Sequence, residues 1–118
     1  MAADLAPPSP EAIEAAVRAA LAEDLGPGDA TAQLLDDVPA TAHVVCKEAA
    51  VIAGRPWFDA CFRALDPAIR IRWHVGEGQR VEPGTVLCTL EGRSRALVSA
   101  ERSALNFLQT LSATATTT

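Results

Sequence analysis

The sequence predicts an α+β domain in which an antiparallel sheet packs against helices. Three observations lead to this fold class. Apolar residues recur at helical spacing near both ends and in the middle of the chain, residues 69–75 alternate apolar and polar side chains, and glycine turns separate short segments rich in Val. With 118 residues, of which 49% are hydrophobic, the chain is long enough to bury a core.

The first predicted helix spans residues 10–25. Ser9 is suited to cap its first turn, Pro10 to occupy the first helical position, and Glu11 to interact favourably with the helix N-terminus. A loop rich in Gly and Pro at residues 26–29 ends the helix. The face expected to be buried carries Ile13, Ala16, Val17, Ala20 and Leu21.

The middle of the chain is predicted to contain two extended segments, a helix and a strand. Residues 41–48 and 50–53 are rich in Val and Ile and favour strands. The helix at 56–65 places its apolar side chains at i, i+3, i+4 and i+7, namely Phe58, Cys61, Phe62 and Leu65. The strand at 69–75 buries one face and exposes Arg70, Arg72 and His74 on the other.

Two more strands and a final helix complete the prediction. The strands are expected at residues 86–90 and 95–98, after glycine turns. Ser99 is expected to cap a helix at 100–111. The buried stripe of this helix is expected to contain Ala104, Leu105, Leu108 and Leu111.

Charge and cysteine content exclude several classes of function. Ten Lys and Arg residues against fifteen Asp and Glu residues give a net charge of -5, which disfavours binding to nucleic acid or to an anionic membrane. Cys46, Cys61 and Cys88 lack the spacing of a disulfide framework or a zinc site, so we expect small buried residues in a reducing compartment. The chain has no signal-peptide pattern and no membrane-spanning apolar run, which predicts a cytoplasmic location.

Two local patterns resemble functional motifs but favour structural interpretations. Asp36 and Asp37 superficially resemble the phosphoribosyl-diphosphate loop of type I phosphoribosyltransferases, but a buried strand does not precede them, which favours a solvated acidic turn. Residues 75–87 resemble the hammerhead strands of lipoyl and biotinyl carrier domains. The only lysine, Lys47, is predicted to lie within a strand and not on an exposed tip, which disfavours a carrier function.

Arg102 is the strongest candidate for a ligand-binding side chain. The predicted helix at 100–111 places it near the third helical position, where a cation is unfavourable. Either it forms a surface ion pair, or it and the free N–H groups of the helix start bind a carboxylate or phosphate. His43 and His74 have neither a carboxylate nor a second His at ligand spacing, which favours an exposed or hydrogen-bonded structural role for both.

Two longer motifs resemble one known family over nearly the whole chain. Residues 23–31 match the pattern E-D-x-G-x-G-D-x-T, and residues 100–112 match A-E-R-x-A-L-N-F-x-Q-x-L-S. Both patterns are typical of quinolinate phosphoribosyltransferase, and the segments between them follow in that family's order and spacing. The sequence therefore resembles the N-terminal domain of this family.

The resemblance implies the N-terminal part of an enzyme that transfers phosphoribose from phosphoribosyl diphosphate to quinolinate with decarboxylation. The products would be nicotinate mononucleotide, diphosphate and CO2, in NAD biosynthesis. It further implies Mg2+ bound with phosphoribosyl diphosphate, a homodimer in which this domain covers the barrel of the partner, and Arg102 as a ligand of the quinolinate carboxylates. No other residue of the chain is implied as a substrate, catalytic or metal ligand.

The resemblance also implies a division of the chain. Residues 1–112 would form a lid and dimerisation domain, and residues 113–118 would begin the connection to an α/β barrel, so this segment alone would be inactive. Two alternatives remain open from the sequence. One is a phosphoribosyltransferase that uses nicotinate, and the other is a non-catalytic hammerhead module similar to lipoyl and biotinyl domains, modified at Lys47.

Overall fold

Helices and strands follow one another in the predicted order, except that a short strand at residues 80–81 was not predicted and the last helix begins earlier than expected. The computed structural model describes residues 9–25 and 36–117, so the predicted loop at 26–29 lies outside the described residues. The elements are α1 (Pro10–Leu25), β1 (Pro39–Val45), β2 (Ala50–Val51), α2 (Arg55–Leu65), β3 (Arg70–Trp73), β4 (Arg80–Val81), β5 (Val86–Arg93) and α3 (Ser94–Thr117). The predicted α+β class is confirmed.

The helix α1 begins as its capping residues predict. The Ser9 hydroxyl accepts a hydrogen bond from the backbone N–H of Ala12 at 3.2 Å, which satisfies one of the unpaired donors of the first turn. Val17 and Leu21 are buried against the other helices, as expected. Ala16, predicted to be buried, is exposed because it lies at the edge of the apolar stripe.

The strands form two antiparallel sheets. The larger has the order β1-β5-β3, with β5 in the centre, and the smaller pairs β2 with β4. Along β1 the exposed fraction alternates from residue to residue, so one face of the larger sheet is turned inward and the other is open to solvent. The predicted alternation at 69–75 is confirmed, since Ile69 and Val75 are buried while Arg70, Arg72 and His74 are exposed.

The prediction of a strand at 95–98 is wrong, and so is the predicted helix start at Ser99. β5 ends at Arg93 and α3 begins at Ser94. Ser94 is held by long-range contacts: its hydroxyl accepts from the N–H of Val38 at 3.1 Å and donates to the carbonyl of Asp36 at 2.6 Å. These contacts fix the first turn of α3 beside the start of β1, which local alternation of side chains does not reveal.

The core lies between the inner face of the larger sheet and the helices α2 and α3. α2 packs against α3, and α1 packs across both. The Phe58 ring contacts those of Phe62 and Trp73, with centroids 5.0 Å and 5.1 Å apart. Cys61 and Cys88 are buried as predicted, whereas Cys46 is only half-buried. Among the described residues, no helix combines the length and apolar character needed to cross a membrane.

Candidate functional site

Packing in the core explains one side of α3 over the motif at residues 100–112, the part that we call the motif helix. Within residues 100–112 of α3, buried and half-buried side chains recur every three or four residues and face α2 and the sheet. The fully buried members are Ala100, Ser103, Ala104, Leu108 and Ser112. The motif positions on this side of the helix are therefore explained by the core alone.

Hydrogen bonds hold the C-terminal half of α3 against residues 51–53, which lead into α2. The Ser112 hydroxyl accepts the N–H of Ala53 and donates to the carbonyl of the same residue, both at 3.0 Å. The Thr116 hydroxyl accepts the N–H of Val51 at 2.9 Å. Side chains of α3 thus supply hydrogen-bond partners for the backbone of Val51 in β2 and of Ala53 just beyond it, which fixes the rotation of α3 about its axis.

The opposite side of α3 carries an exposed polar stripe that the core does not explain. Arg102, Asn106 and Gln109 lie at i, i+4 and i+7 and are all exposed; we call them the Arg102 stripe. The stripe extends over about 10 Å of the helix. Within the described residues, the Arg102 side chain has no hydrogen bond and no ion pair. Its guanidinium is therefore available to a ligand.

The structure corrects the physical argument that first singled out Arg102. α3 begins at Ser94, eight residues before Arg102, so the backbone N–H groups around Arg102 lie in the helix interior. Interior N–H groups bond to carbonyls four residues earlier and are not free for an anion. The predicted anion site at a helix N-terminus is wrong, and the exposed guanidinium remains. Asn106 and Gln109 were not singled out from the sequence, although the predicted helix at 100–111 already places them at i+4 and i+7 from Arg102.

Polar groups near the core form a structural cluster rather than a reactive one. The indole N–H of Trp73 donates to Asp59 at 2.8 Å, and the guanidinium of Arg55 lies 4.9 Å from the centre of the Trp73 ring. Burial raises the pKa of Asp59, and the hydrogen bond from Trp73 partly opposes that shift. Burial also raises the pKa of the Cys88 thiol to about 12, so this thiol stays neutral and is unsuited to act as a nucleophile.

Two other candidates from the sequence lie on the surface. Lys47, predicted within a strand, instead lies in an exposed bend between β1 and β2, so burial in a strand no longer argues against its modification. Asp36 and Asp37 are exposed, and Asp37 is 3.9 Å from the guanidinium of Arg93. The predicted solvated acidic turn agrees with this exposure.

The structure brings the two histidines together. The Nδ1 of His43 and the Nε2 of His74 lie 3.1 Å and 2.9 Å from the hydroxyl oxygen of Thr89. Both rings are exposed and hydrogen-bonded, as the sequence predicts. The sequence did not indicate their proximity, because it arises from the pairing of β1, β5 and β3.

A groove of about 860 Å³ runs between β1 and α3 beside the Arg102 stripe. Much of its lining is apolar, and Gln109 of the stripe also contributes to it. Apolar lining residues include Ala42, Val44, Leu97, Leu105 and Leu108. A surface of this kind suits the burial of apolar groups.

The described residues do not provide a metal centre. In residues 9–25 and 36–117, His, Cys, Asp and Glu side chains form no group of three or more that could hold an ion. The Mg2+ implied by the sequence resemblance is therefore not assigned to these residues, and no chemical step is derived through it.

Comparison with known proteins places these features in a family. Residues 29–112 match the family described as "Quinolinate phosphoribosyl transferase, N-terminal domain". The chain belongs to this family. The residues that match the quinolinate phosphoribosyltransferase N-terminal domain family include the whole motif at 100–112. They also include the last three residues of the motif at 23–31.

Relatives of known name and structure agree with this assignment. The chain is 33% identical over 109 residues to quinolinate phosphoribosyltransferase [decarboxylating] 1b of Nicotiana tabacum, covering 90% of this chain and 31% of the relative. It is 42% identical over 99 residues to a probable nicotinate-nucleotide pyrophosphorylase [carboxylating] of Synechocystis, covering 83% and 34%. The solved nicotinate-nucleotide pyrophosphorylase of Francisella tularensis superposes with a TM-score of 0.91 at 35% identity, covering 93% and 39%.

The coverages show how much of each relative's length this chain represents. The chain spans about a third of the length of the curated relatives it matches. The fold of the quinolinate phosphoribosyltransferase N-terminal domain is therefore present in this chain, and the Arg102 stripe lies on its motif helix.

Proposed function

We propose that this domain contributes the Arg102 stripe to the active site of a quinolinate phosphoribosyltransferase. The enzyme would transfer phosphoribose from phosphoribosyl diphosphate to the ring nitrogen of quinolinate, with loss of diphosphate and CO2, to give nicotinate mononucleotide. The observation that carries the proposal is an exposed arginine, unpaired among the described residues, on the motif helix of a chain that belongs to this family.

The chemistry of quinolinate suits such a side chain. Its two carboxylates are costly to enclose unless each is paired with a donor or a positive charge. A guanidinium can bind one carboxylate through two parallel hydrogen bonds, which fixes the orientation of the ring as well as neutralising charge. Arg102 would thereby direct the ring nitrogen toward the phosphoribosyl group, and its contribution would be positioning and electrostatic stabilisation.

The proposal includes the assembly in which this site works. Residues 1–112 form a lid and dimerisation domain, residues 113–118 begin the connection to an α/β barrel, and the complete enzyme is a cytoplasmic homodimer that interacts with neither nucleic acid nor membranes. The barrel supplies the catalytic residues and holds phosphoribosyl diphosphate with Mg2+, so the segment alone has no turnover. The net charge of -5 supports this division, because most of the positive charge that two anionic substrates require must come from elsewhere.

The test compares Arg102→Ala with Arg102→Lys in the complete enzyme. Loss of the guanidinium leaves a substrate carboxylate unpaired, so kcat/KM for quinolinate is expected to fall by about 30-fold or more, equivalent to about 2 kcal/mol or above. Lys keeps the charge without the two parallel bonds and is expected to give an intermediate loss. Arg80→Ala removes an exposed arginine from β4 and serves as the matched control, with kinetics close to those of the unchanged enzyme.

Three results would contradict the proposal. Unchanged quinolinate kinetics in Arg102→Ala would remove this residue from the site. Turnover by the isolated 118-residue chain would refute the need for a barrel. A preference for nicotinate over quinolinate in a panel of pyridine carboxylates would assign the enzyme to the nicotinate-type alternative instead.

A further inference from the structure

Two neighbouring side chains of the Arg102 stripe can reach the same small ligand. Arg102 and Asn106 lie four residues apart on α3, which separates their Cβ atoms by about 5–6 Å on one face of the helix. Because Cα–Cβ bonds tilt toward the helix N-terminus, the Asn106 side chain leans toward Arg102. Gln109 lies farther away, about 10 Å from Arg102 along the axis, and lines the apolar groove instead.

Both of these side chains are free to bind a ligand. Arg102 and Asn106 are exposed, and neither side chain forms a hydrogen bond or an ion pair within residues 9–25 and 36–117. The Asn106 amide offers two N–H donors and one carbonyl acceptor, and the Arg102 guanidinium offers a planar fork of donors. The helix therefore presents a charged donor and a neutral donor side by side.

The charges on α3 favour an anionic ligand at this position. Arg95, seven residues before Arg102, is exposed on the same face of the helix and adds positive charge. Glu101 is the one acidic residue of α3. Successive helical residues point about 100° apart, and Glu101 lies toward the groove, whose lining includes neither Arg102 nor Asn106. This face of α3 is therefore basic, although the chain as a whole is acidic.

We propose that Asn106 binds the carboxylate of quinolinate that is lost as CO2, while Arg102 binds the carboxylate that is retained. This inference rests on the function proposed above for the Arg102 stripe. Quinolinate carries its carboxylates on neighbouring ring carbons, so donors one helical turn apart can pair with both, and neither carboxylate is enclosed without a partner. Asn106 thereby selects quinolinate over nicotinate, which lacks the carboxylate beside the ring nitrogen.

The chemistry of decarboxylation decides which donor takes which carboxylate. After phosphoribose is attached to the ring nitrogen, the bond between the adjacent ring carbon and its carboxylate carbon breaks. The electron pair of that bond stays on the ring carbon beside the positively charged nitrogen, CO2 leaves without charge, and a proton from water then bonds to the ring carbon. A guanidinium paired with the departing carboxylate would stabilise the reactant more than the transition state and slow the step. A neutral amide holds this carboxylate more weakly and opposes its departure less.

The test measures competitive inhibition of the complete enzyme by two monocarboxylates. Picolinate carries only the carboxylate beside the ring nitrogen, and nicotinate carries only the other. Asn106→Ala is expected to weaken inhibition by picolinate about tenfold or more, because a hydrogen bond to a charged group is lost, and to change inhibition by nicotinate less than about twofold. Arg102→Ala is expected to give the opposite selectivity. Asn106→Asp keeps the size of the side chain but repels a carboxylate, so it should weaken picolinate further.

Thr110→Ala is the matched control for the loss of a polar group from α3. Thr110 is exposed and lies one turn beyond Asn106, outside the Arg102 stripe. Its substitution is expected to change inhibition by either monocarboxylate less than about twofold. Arg102, Asn106 and Thr110 are all exposed, and circular dichroism checks that each variant is folded.

The outcomes separate this inference from the proposed function. If Arg102→Ala weakens nicotinate and quinolinate while Asn106→Ala behaves like Thr110→Ala, the proposed function stands and the role of Asn106 is overturned. If Arg102→Ala changes neither ligand, both proposals are overturned. Equal weakening of the two monocarboxylates by Asn106→Ala would indicate a general effect on the site and would overturn the inference. The reverse selectivity, with Asn106→Ala weakening nicotinate and Arg102→Ala weakening picolinate, would overturn the assignment of the two carboxylates.

Discussion

Gly54 is the position where a single methyl group should most clearly disturb the packing of α3. It precedes α2 with φ of +106°, in the left-handed region that favours glycine. Its backbone N–H donates to the carboxylate of Glu77 at 2.9 Å. A Cβ added at this position would lie 3.0 Å from Cδ1 of Leu111 and 3.3 Å from the carbonyl oxygen of Phe107. Gly54→Ala therefore introduces both backbone strain and a steric contact with α3.

The expected loss of stability follows from these two costs. A side chain in the left-handed region costs about 1–2 kcal/mol. Overpacking in a close contact adds about 1–3 kcal/mol, because the Leu111 side chain can move slightly but the backbone carbonyl of Phe107 is held within the helix. Gly54→Ala is therefore expected to lower the free energy of unfolding by about 2–5 kcal/mol.

Gly84→Ala provides the matched control for the steric part. Gly84 also has a positive φ, +88°, but a Cβ there would meet no atom within 4 Å. Gly84→Ala should therefore lower the free energy of unfolding only by the backbone cost of about 1–2 kcal/mol. Equilibrium unfolding in urea measures both variants, with an unchanged dependence on urea concentration as evidence that the folded and unfolded states are comparable.

Two results would refute this reasoning. Equal destabilisation by Gly54→Ala and Gly84→Ala would mean that α3 does not constrain residue 54. Independent effects of Gly54→Ala and Leu111→Ala in a double-mutant cycle would show that the contact with Leu111 carries no energy.

Two other substitutions test the hydrogen bonds around the core. Ser112→Ala leaves the N–H and carbonyl of Ala53 without their partner and is expected to lower the free energy of unfolding in urea by about 2–4 kcal/mol. The control, Thr110→Ala at an exposed position of the same helix, should lower it by less than about 0.5 kcal/mol. Similar losses in the two variants would contradict the role of Ser112. Asp59→Asn tests the raised pKa of Asp59: because the folded state favours the protonated acid, the stabilisation is present below the ordinary value of 3.8 and is lost as pH rises through the raised pKa. The wild-type protein should thus lose stability relative to Asp59→Asn as pH rises from the ordinary value of 3.8 through the raised pKa, and a constant difference would show that burial of this carboxylate has no cost.

Local spacing was sufficient to predict the elements whose burial follows a simple period. The spacing of Phe58, Cys61 and Phe62 predicted α2, and these three side chains are buried on one face. The alternation from Ile69 to Val75 likewise predicted β3 and its exposed basic face. In both segments one period dominates, and tertiary contacts do not compete with it.

The errors occurred where long-range contacts decide the structure. The start of α3 depends on contacts of Ser94 with residues 36–38, more than fifty positions earlier. The meeting of His43 and His74 at Thr89 depends on strand pairing across 46 and 15 residues. Spacing along the sequence does not determine such pairings, so the meeting of the two histidines at Thr89 could not be predicted, and Arg102 was selected partly for an incorrect reason.

The corrected position of Arg102 changes how the motif helix is understood. At a helix terminus, free N–H groups would themselves form part of an anion site, whereas in the helix interior the guanidinium acts alone and its direction matters more. That direction is set by the rotation of α3, which Ser112 and the close contact of Leu111 with Gly54 hold against the rest of the domain. The buried half of the motif therefore has a functional consequence, because it orients the exposed stripe that we propose meets quinolinate.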